Sequence, residues 1–338
     1  MRAHGYAATS AGAALTPLAY DLPRLEPHEV RIAVSHCGIC YSDIDLIDNA
    51  FKRTPFPIVP GHEIVGHVAE RGSAVKHLQV GQRVGVGPQR SACLQCACCE
   101  TGHEQLCVDG SATAGGGAPG GFADTVQLDA AFAFALPDAL ASAMTAPLMC
   151  AGLTMYNALR KHTSAGMRVG MLGVGGLGHV GLQFAAKMGH EVTAFTLAPS
   201  LEDMALVQRL GARSVVDSSD PEALAALRSS LDVIISTVHG KVDFNPFISA
   251  LRPNGKLCLV GNSPGQISVL GRLVLGQRAV VGVASGGRHD ANQMLAFAAQ
   301  HDIAAVGETL PMSAVNKALT LVRAQDVRFR MVLENEGA

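Results

Sequence analysis

The sequence predicts an α/β protein in which a mostly β domain is followed by a doubly wound parallel sheet. Its 338 residues exceed what one hydrophobic core usually serves. Short β-type runs with frequent Gly and Pro occupy the first 150 residues, and six apolar runs, most of them joined by helical stretches, follow from Arg168. Hydrophobic residues make up 48% and charged residues 16%, as is typical of a globular chain.

The first domain is predicted over 1–150 from its short strands and turn signals. The strand candidates are VRIAVSHCGIC (30–40), EIVGHVAERG (63–72), QRVGVGP (82–88) and FADTVQL (122–128). Turn-rich stretches such as PFPIVPG (55–61) and TAGGGAPGG (113–121) separate them. Short strands separated by turn-rich segments indicate an irregular, mostly β domain.

The second domain is predicted over 151–284 from the alternation of strands and helices. Its strands are RVGML (168–172), EVTAFT (191–196), SVVD (214–217), DVIIST (232–237), KLCLVG (256–261) and AVVGVA (279–284). This order is typical of a six-stranded Rossmann sheet. The remainder, 285–338, contains a helix and the short strand VRFRMVL, and we expect it to pack on the first domain because it is too short to fold alone.

Charge and cysteine content exclude several classes of function. The net charge is −2 and no basic stripe occurs, so we expect neither nucleic acid nor an anionic membrane as a partner. The sequence contains neither a secretion signal nor an apolar run long enough to span a membrane. Nine cysteines without such a signal favour metal ligands and free thiols in a cytoplasmic protein.

A glycine-rich turn follows the first strand of the second domain. In GVGGLG, Gly173, Gly175 and Gly178 fill the pattern G-x-G-x-x-G, and Gly176 and Leu177 complete the loop. The pattern permits a tight turn, close approach of a pyrophosphate to the backbone, and close packing of the helix on the strand. An ordinary strand-to-helix turn is the alternative, but the strand–turn–helix context favours a dinucleotide site.

The end of the next strand bears on the choice of dinucleotide. An Asp or Glu about 20 residues beyond the motif would bind the ribose hydroxyls of NAD. The chain reads FTLAPS at 195–200, without an acid, and Thr196 and Ser200 are candidate cofactor contacts. The missing acid favours NADP(H) over NAD(H). The next residues, however, are Leu201 and Glu202, where a lysine would help to bind the additional phosphate of NADP.

Five cysteines lie in the segment CLQCACCETGHEQLC, residues 93–107. The spacing Cys93-x2-Cys96-x2-Cys99-x7-Cys107 suits four thiolates around one tetrahedral Zn²⁺ with no open position, which predicts a structural site. Cys98 is out of register. A disulfide set requires an oxidising compartment, a redox switch rarely uses four spaced cysteines, and a nucleic-acid-binding zinc ribbon would have basic flanks.

A second set of candidate ligands is dispersed over CGICYSD (37–43), GHE (61–63) and PLMCAG (147–152). Two cysteines and a histidine leave one coordination position open, as in a catalytic zinc site. Spacing alone does not distinguish Cys37 from Cys40 as the ligand, and buried packing is the ordinary role of such residues.

The chain resembles the zinc-dependent medium-chain alcohol dehydrogenases, and among them the cinnamyl alcohol dehydrogenases and bacterial aldehyde reductases. The resemblance covers nearly the whole chain in order: CGICYSD, PGHE, VGQRVGVG, the four-cysteine loop, GGFAD, PLMCAGLT and GVGGLGHVG. It implies a GroES-like catalytic domain over 1–150 with 285–338 and a Rossmann domain over 151–284. It also implies a homodimer joined through the sheet edge at AVVGVA (279–284).

The resemblance implies that Cys40, His62 and Cys150 bind the catalytic zinc, whereas Cys37 packs in a strand. Asp43 matches the carboxylate that orients the ligating histidine, which is also physically reasonable. Glu63 matches a carboxylate behind the zinc that exchanges in as a transient ligand.

The proton relay implied by the resemblance departs from the family pattern at one position. Ser42 matches the hydroxyl that exchanges a proton with the substrate oxygen, and Thr154 a residue packed on the nicotinamide. Many members carry a histidine where this chain has Asp45, so the relay ends either at that carboxylate or in water. Tyr41 also stands where cinnamyl alcohol dehydrogenases often have His.

The predicted function is therefore hydride transfer between NADP(H) and an aldehyde or primary alcohol, with two Zn²⁺ per chain. One alternative is an NAD-dependent polyol or secondary-alcohol dehydrogenase on the same scaffold. Another is a non-catalytic NADP-binding or redox-sensing module with structural zinc only. The chain has no Trp and only 4% aromatic residues, so an aromatic-lined substrate pocket is not indicated.

Overall fold

The computed structural model describes residues 1–140, 142–261 and 266–336. The chain divides into two compact units, one formed by Met1–Leu153 with Gly286–Ala338 and the other by Thr154–Ser285. Residues 337 and 338 of the predicted segment 285–338 lie outside the described residues. Over the described ranges, no helix combines the length and apolar character that a bilayer span requires.

The N-terminal part of the first unit consists of short strands with a few short helices. Its strands are β1 (Arg2–Ala7), β2 (Thr16–Asp21), β3 (Glu29–Ile39), β4 (Glu63–Arg71), β5 (Arg83–Val86), β6 (Gln89–Ser91), β7 (Ser111–Ala112), β8 (Thr125–Asp129) and β9 (Ala133–Ala135). Its helices are α1 (Tyr41–Ile47), α2 (Ala97–Glu100) and α3 (Ser142–Thr145), with 3₁₀ turns at Glu104–Leu106, Ala130–Phe132 and Ala146–Met149.

Strands and helices then alternate through the second unit. After α4 (Ala151–His162), the elements are β10 (Arg168–Leu172), α5 (Gly178–Lys187), β11 (Glu191–Thr196), α6 (Leu201–Arg209), β12 (Ser214–Asp217), α7 (Pro221–Ala226), β13 (Leu231–Ser236), α8 (Asn245–Ala250), β14 (Leu251–Leu259), α9 (Gly271–Val274) and β15 (Ala279–Gly282). The chain then returns to the first unit with α10 (Arg288–Gln300), β16 (Gly307–Pro311), a 3₁₀ turn at Met312–Ala314, α11 (Val315–Arg323) and β17 (Arg330–Glu334).

The described part of the second unit contains the predicted six-stranded parallel sheet, in the order β12-β11-β10-β13-β14-β15. Every residue of β13 is buried, as expected for an inner strand covered by helices on both faces. The fold class is thus confirmed. The largest difference in boundary within this sheet is at β14, which begins at Leu251 rather than at the predicted residue 256, because Leu251 pairs with Leu231 before a register shift.

The main sheet of the first unit, within the described ranges, has the order β16-β17-β3-β4-β5-β9, and β8 also pairs with β3. The C-terminal strand β17 runs antiparallel to β3, with Met331 opposite Ile39, so the last segment completes this sheet. Strand β3 leads directly into Cys40, and β4 begins at Glu63, one residue after His62. Two neighbouring strands therefore deliver candidate ligands to one end of the sheet.

Candidate functional site

The first cysteine group lies on the loop between β6 and β7. The sulfur atoms of Cys93, Cys96, Cys99 and Cys107 lie within 4.8 Å of one another. Individual Sγ–Sγ distances are 3.5 Å for Cys96–Cys99, 3.5 Å for Cys93–Cys107 and 3.9 Å for Cys93–Cys99. The structure therefore brings the four predicted ligands together, and Cys98 is outside the group.

These distances fit a zinc ion. Four sulfurs at about 2.3 Å from a tetrahedral Zn²⁺ are separated by about 3.8 Å, whereas a disulfide requires about 2.05 Å. All nine cysteines are free. The backbone N–H of Gln95 lowers the pKa of Cys93 to about 7, so the loop favours a thiolate there even before a metal binds.

The second group brings Cys40, His62, Glu63 and Cys150 together, with one ligand atom from each lying within 4.8 Å of the others. Cys40 precedes α1, His62 and Glu63 lie at the start of β4, and Cys150 ends the 3₁₀ turn at 146–149. Cys150 is half-buried and the other three are buried. Cys37 is fully buried in the hydrophobic core and is not part of this group.

Asp43 holds two members of this group in place from the first turn of α1. Its Oδ1 accepts hydrogen bonds from His62 Nδ1 and Gly61 N, and its Oδ2 accepts one from Cys40 N, each at 2.9 Å. The carboxylate is fully buried. Because Nδ1 of His62 is engaged by Asp43, Nε2 is the nitrogen left for a metal.

The local electrostatics of the group favour thiolate at Cys40. Hydrogen bonding from Cys150 and from His62 holds the pKa of Cys40 well below its usual range, despite burial. Two sulfurs and an imidazole are donors that Zn²⁺ prefers, and three such ligands leave one position for substrate. The residues present therefore fit a catalytic zinc.

Ser42 and Asp45 lie on α1, which the sequence had not predicted as helical. Ser42 Oγ is 3.8 Å from Cys40 Sγ, and Ser42 is half-buried. Asp45 follows three residues later on the same helix, so the two side chains share one face. Asp45 is buried, with 5% of its surface exposed, and does not belong to the ligand group.

Sequence reasoning missed Arg330, which lies on β17. Its guanidinium donates to Oε2 of Glu63, and both side chains are buried. The same positive charge also acts on Cys40 and Cys150. An arginine in the otherwise apolar strand RMVL was the available signal, because a buried cation requires an anionic partner.

Glu63 is the least satisfied member of the group. Burial raises the pKa of its carboxyl to about 7, with the charge of Arg330 opposing the shift. Its Oε1 is buried without a hydrogen-bond partner among the described residues. A carboxylate oxygen left unbonded beside three ligands fits the predicted role of a reserve ligand.

The glycine loop joins β10 to α5 in the second unit. Gly173 has φ +90°, a conformation that favours glycine, and a side chain on Gly178 would collide with the carbonyl oxygen of Gly173. A side chain on Gly175 would meet no atom within 4 Å. The loop at Gly175 is thus open to a ligand, whereas the first and third glycines serve the turn and the helix contact.

Thr237 supports this loop and was not singled out from the sequence. It follows β13, which neighbours β10 in the sheet, and its hydroxyl donates to the carbonyl oxygen of Gly173 at 2.9 Å. The signal was a threonine at the carboxyl end of an inner parallel strand, where ligands of such sheets bind.

The other predicted cofactor contacts are dispersed. Thr196 ends β11 and is half-buried, and Thr154 is buried in α4. Ser200 caps α6: its Oγ accepts from Asp203 N at 3.1 Å and donates to Oδ2 of Asp203 at 2.7 Å. The Ser200 hydroxyl therefore already has partners within the helix cap.

Comparison with known proteins identifies both units. The family model for the alcohol dehydrogenase GroES-like domain matches residues 26–138, and the model for zinc-binding dehydrogenase matches residues 176–300. Aldehyde reductase AdhA of Synechocystis is 37% identical over 332 residues, covering 98% of each chain. Probable cinnamyl alcohol dehydrogenase 3 of Oryza sativa is 37% identical over 342 residues, covering 98% of this chain and 93% of that protein.

Solved structures agree with these sequence matches. A cinnamyl alcohol dehydrogenase from Sorghum bicolor superposes with a TM-score of 0.95 at 34% identity, covering 99% of this chain and 98% of that one. The cinnamyl alcohol dehydrogenase from Helicobacter pylori complexed with NADP(H) has a TM-score of 0.89 at 28% identity, with the same coverage.

Proposed function

The chain belongs to the zinc-binding alcohol dehydrogenases with a GroES-like domain, and we propose that it interconverts aldehydes and primary alcohols with NADP(H). One observation carries the proposal. A Cys₂His group with an open position and the four-cysteine group occur in the same chain as an open glycine loop. A zinc-free or purely structural module would have no need for the buried group around Cys40.

Each site has a distinct role in the proposed reaction. Cys40, His62 and Cys150 would hold the catalytic zinc, and Cys93, Cys96, Cys99 and Cys107 the structural zinc. When bound, zinc supplies a Lewis acid that polarises a carbonyl oxygen, and the nicotinamide supplies or accepts the hydride.

The protein's own groups orient the ligands and move the proton. Asp43 fixes the orientation of the His62 imidazole and of the Cys40 backbone. Ser42, beside Cys40 Sγ, donates a proton to the substrate oxygen during reduction and accepts it during oxidation. Asp45, on the same face of α1 and in the position where the family often has histidine, accepts a proton from water and passes it to Ser42 during reduction, and the reverse transfer takes place during oxidation.

The cofactor preference follows from the end of β11. No carboxylate occurs in 195–200, so the usual partner of the NAD ribose hydroxyls is missing from this segment, although Asp217 Oδ1 accepts from Ala198 N at 3.1 Å. Glu202 and Asp203 in the first turn of α6 oppose this choice. We therefore expect a preference for NADPH that is modest in magnitude.

The decisive experiment measures oxidation of NADPH and of NADH with a panel of aliphatic and aromatic aldehydes on zinc-loaded protein. Aldehyde turnover faster with NADPH is the expected result. Cys40→Ser and His62→Ala should abolish turnover and leave the folded state intact by circular dichroism. Full activity in either variant would refute the assignment of this zinc, and an NADH preference would support an NAD-dependent polyol or secondary-alcohol dehydrogenase.

Metal content distinguishes the enzyme from a binding module. Two zinc ions per chain are expected by elemental analysis, falling to one in Cys40→Ser. One zinc in the unaltered protein, without turnover of any aldehyde, would favour the non-catalytic NADP-binding or redox-sensing alternative.

We also propose a homodimer and a cytoplasmic location. Strand β15 is an edge strand of the described sheet, and its Val280 is 38% exposed, which suits edge-to-edge pairing with a second copy. Light scattering should show a dimer that Val280→Lys weakens, and a monomeric parent would contradict it. Two thiolate metal sites and nine free cysteines suit a reducing compartment, which cell fractionation tests.

A further inference from the structure

The first unit contains a cavity whose lining residues include none of the candidate metal ligands. Its volume is about 540 Å³, which lies within the range of small-molecule sites. Its walls come from β2, β6, β7 and β8 and from the segments 55–59 and 116–119. Much of the lining is apolar, with Pro, Leu, Ile and Val side chains on several sides.

Arg90 of β6 lies in the wall of this cavity. Among the described residues, no hydrogen bond or ion pair involves its guanidinium. The carboxylate that acts on it electrostatically is Glu29, whose Oε2 already accepts from Gln127 Nε2 at 2.6 Å and from Glu26 N at 3.1 Å. Burial lowers the pKa of Arg90, and Glu29 opposes this shift. A partly desolvated cation without an anion is unfavourable by itself.

Tyr20 of β2 lies in the same wall and acts electrostatically on Arg90. Its phenol oxygen is buried and has no hydrogen-bond partner among the described residues. Burial raises the pKa of the phenol, with Asp124 adding to the shift and Arg90 opposing it, so the hydroxyl keeps its proton at neutral pH. The wall therefore contains two neighbouring donors, one cationic and one neutral, for which the described part of the chain provides no acceptor.

We propose that this cavity binds a small organic carboxylate, with Arg90 and Tyr20 as its polar contacts and the apolar walls around its hydrocarbon part. A carboxylate offers two acceptor oxygens, which match a guanidinium and a hydroxyl. Asp21 at the exposed rim disfavours ligands with several negative charges. A monocarboxylate with a short aliphatic or aromatic body is therefore the chemical class that fits.

The test uses hexanoate and benzoate as probes on the zinc-loaded protein, with binding measured by calorimetry. We expect saturable binding that Arg90→Gln weakens at least about tenfold, the loss of one charge-assisted contact. Arg213→Gln is the matched control, because that side chain is 73% exposed and lies in the other unit, and it should bind as the parent does. Benzamide, which has the same ring without the charge, should not bind.

Two further measurements separate this cavity from the catalytic zinc, which also attracts carboxylates. Cys40→Ser should retain the probe, whereas Ala118→Trp, which fills the cavity from its wall, should lose it even if Arg90→Gln does not fold. Aldehyde reduction in Arg90→Gln should equal that of the parent. Equal probe affinity in the parent and in Arg90→Gln or Ala118→Trp, or no saturable binding to the parent, would overturn the proposal.

Discussion

Asp43→Asn is the most informative single substitution, because one carboxylate supports two proposed zinc ligands. Asp43 accepts three hydrogen bonds, from His62 Nδ1, Gly61 N and Cys40 N, all at 2.9 Å. Asparagine has nearly the same shape but replaces one acceptor oxygen with an NH₂ donor. Either Cys40 N or the pair formed by His62 Nδ1 and Gly61 N must then face a donor.

The size of the effect follows from this count. Losing one hydrogen bond to a charged acceptor in a buried site costs about 1.5–3 kcal/mol. Expressed as zinc affinity at the Cys40 site, this corresponds to about 10- to 100-fold, in line with substitutions of groups that orient metal ligands. The four-cysteine site makes no contact with Asp43 and should keep its zinc.

The assay is zinc occupancy in metal buffers of decreasing free zinc, followed by aldehyde turnover at each point. Asp43→Asn should lose one zinc equivalent at about 10- to 100-fold higher free zinc than the parent, and activity should fall in parallel. Asp48→Asn is the matched control on the C-terminal cap of α1, where the side chain pairs with Arg323 at the surface. Parental occupancy and turnover in Asp43→Asn would refute the orienting role.

Three other substitutions test the remaining sites. Cys96→Ser should remove the structural zinc and lower the midpoint temperature of unfolding. The control Cys98→Ser should change neither the zinc content nor that temperature. If Cys96→Ser loses activity at an unchanged midpoint, the loop is not purely structural. Gly178→Ala should weaken NADPH binding about tenfold or more, because its methyl group would collide with the carbonyl oxygen of Gly173 and such overpacking costs about 1–3 kcal/mol. An unchanged affinity in a fluorescence titration would contradict this close contact. Arg330→Met should lower the free energy of unfolding by about 3–5 kcal/mol, because it leaves the buried carboxylate of Glu63 without its cation. Adding Glu63→Gln to the same chain should recover part of that loss. If the two substitutions have additive effects in denaturation experiments, the ion pair between Arg330 and Glu63 is not supported.

The sequence by itself determined the class of the fold and most of the chemistry. Alternating strands and helices predicted the parallel sheet, because a buried parallel strand must be apolar along its whole length. Four cysteines at close intervals predicted one zinc group, because a short loop keeps them within reach of one ion. The glycine loop could also be predicted from the sequence, because its role depends on the backbone geometry of only six consecutive residues.

Only the tertiary structure decided which distant residues meet. Arg330 lies 267 residues from Glu63, and their contact arises because β17 adds to the sheet beside β3. Thr237 reaches Gly173 because β13 neighbours β10 in the sheet. The placement of Arg90 and of the Tyr20 hydroxyl in the wall of one cavity could be seen only in the tertiary structure. Local sequence patterns predict the secondary structure and the short motifs of a segment. Contacts between residues on different strands depend on strand order and register, which no short stretch of sequence encodes.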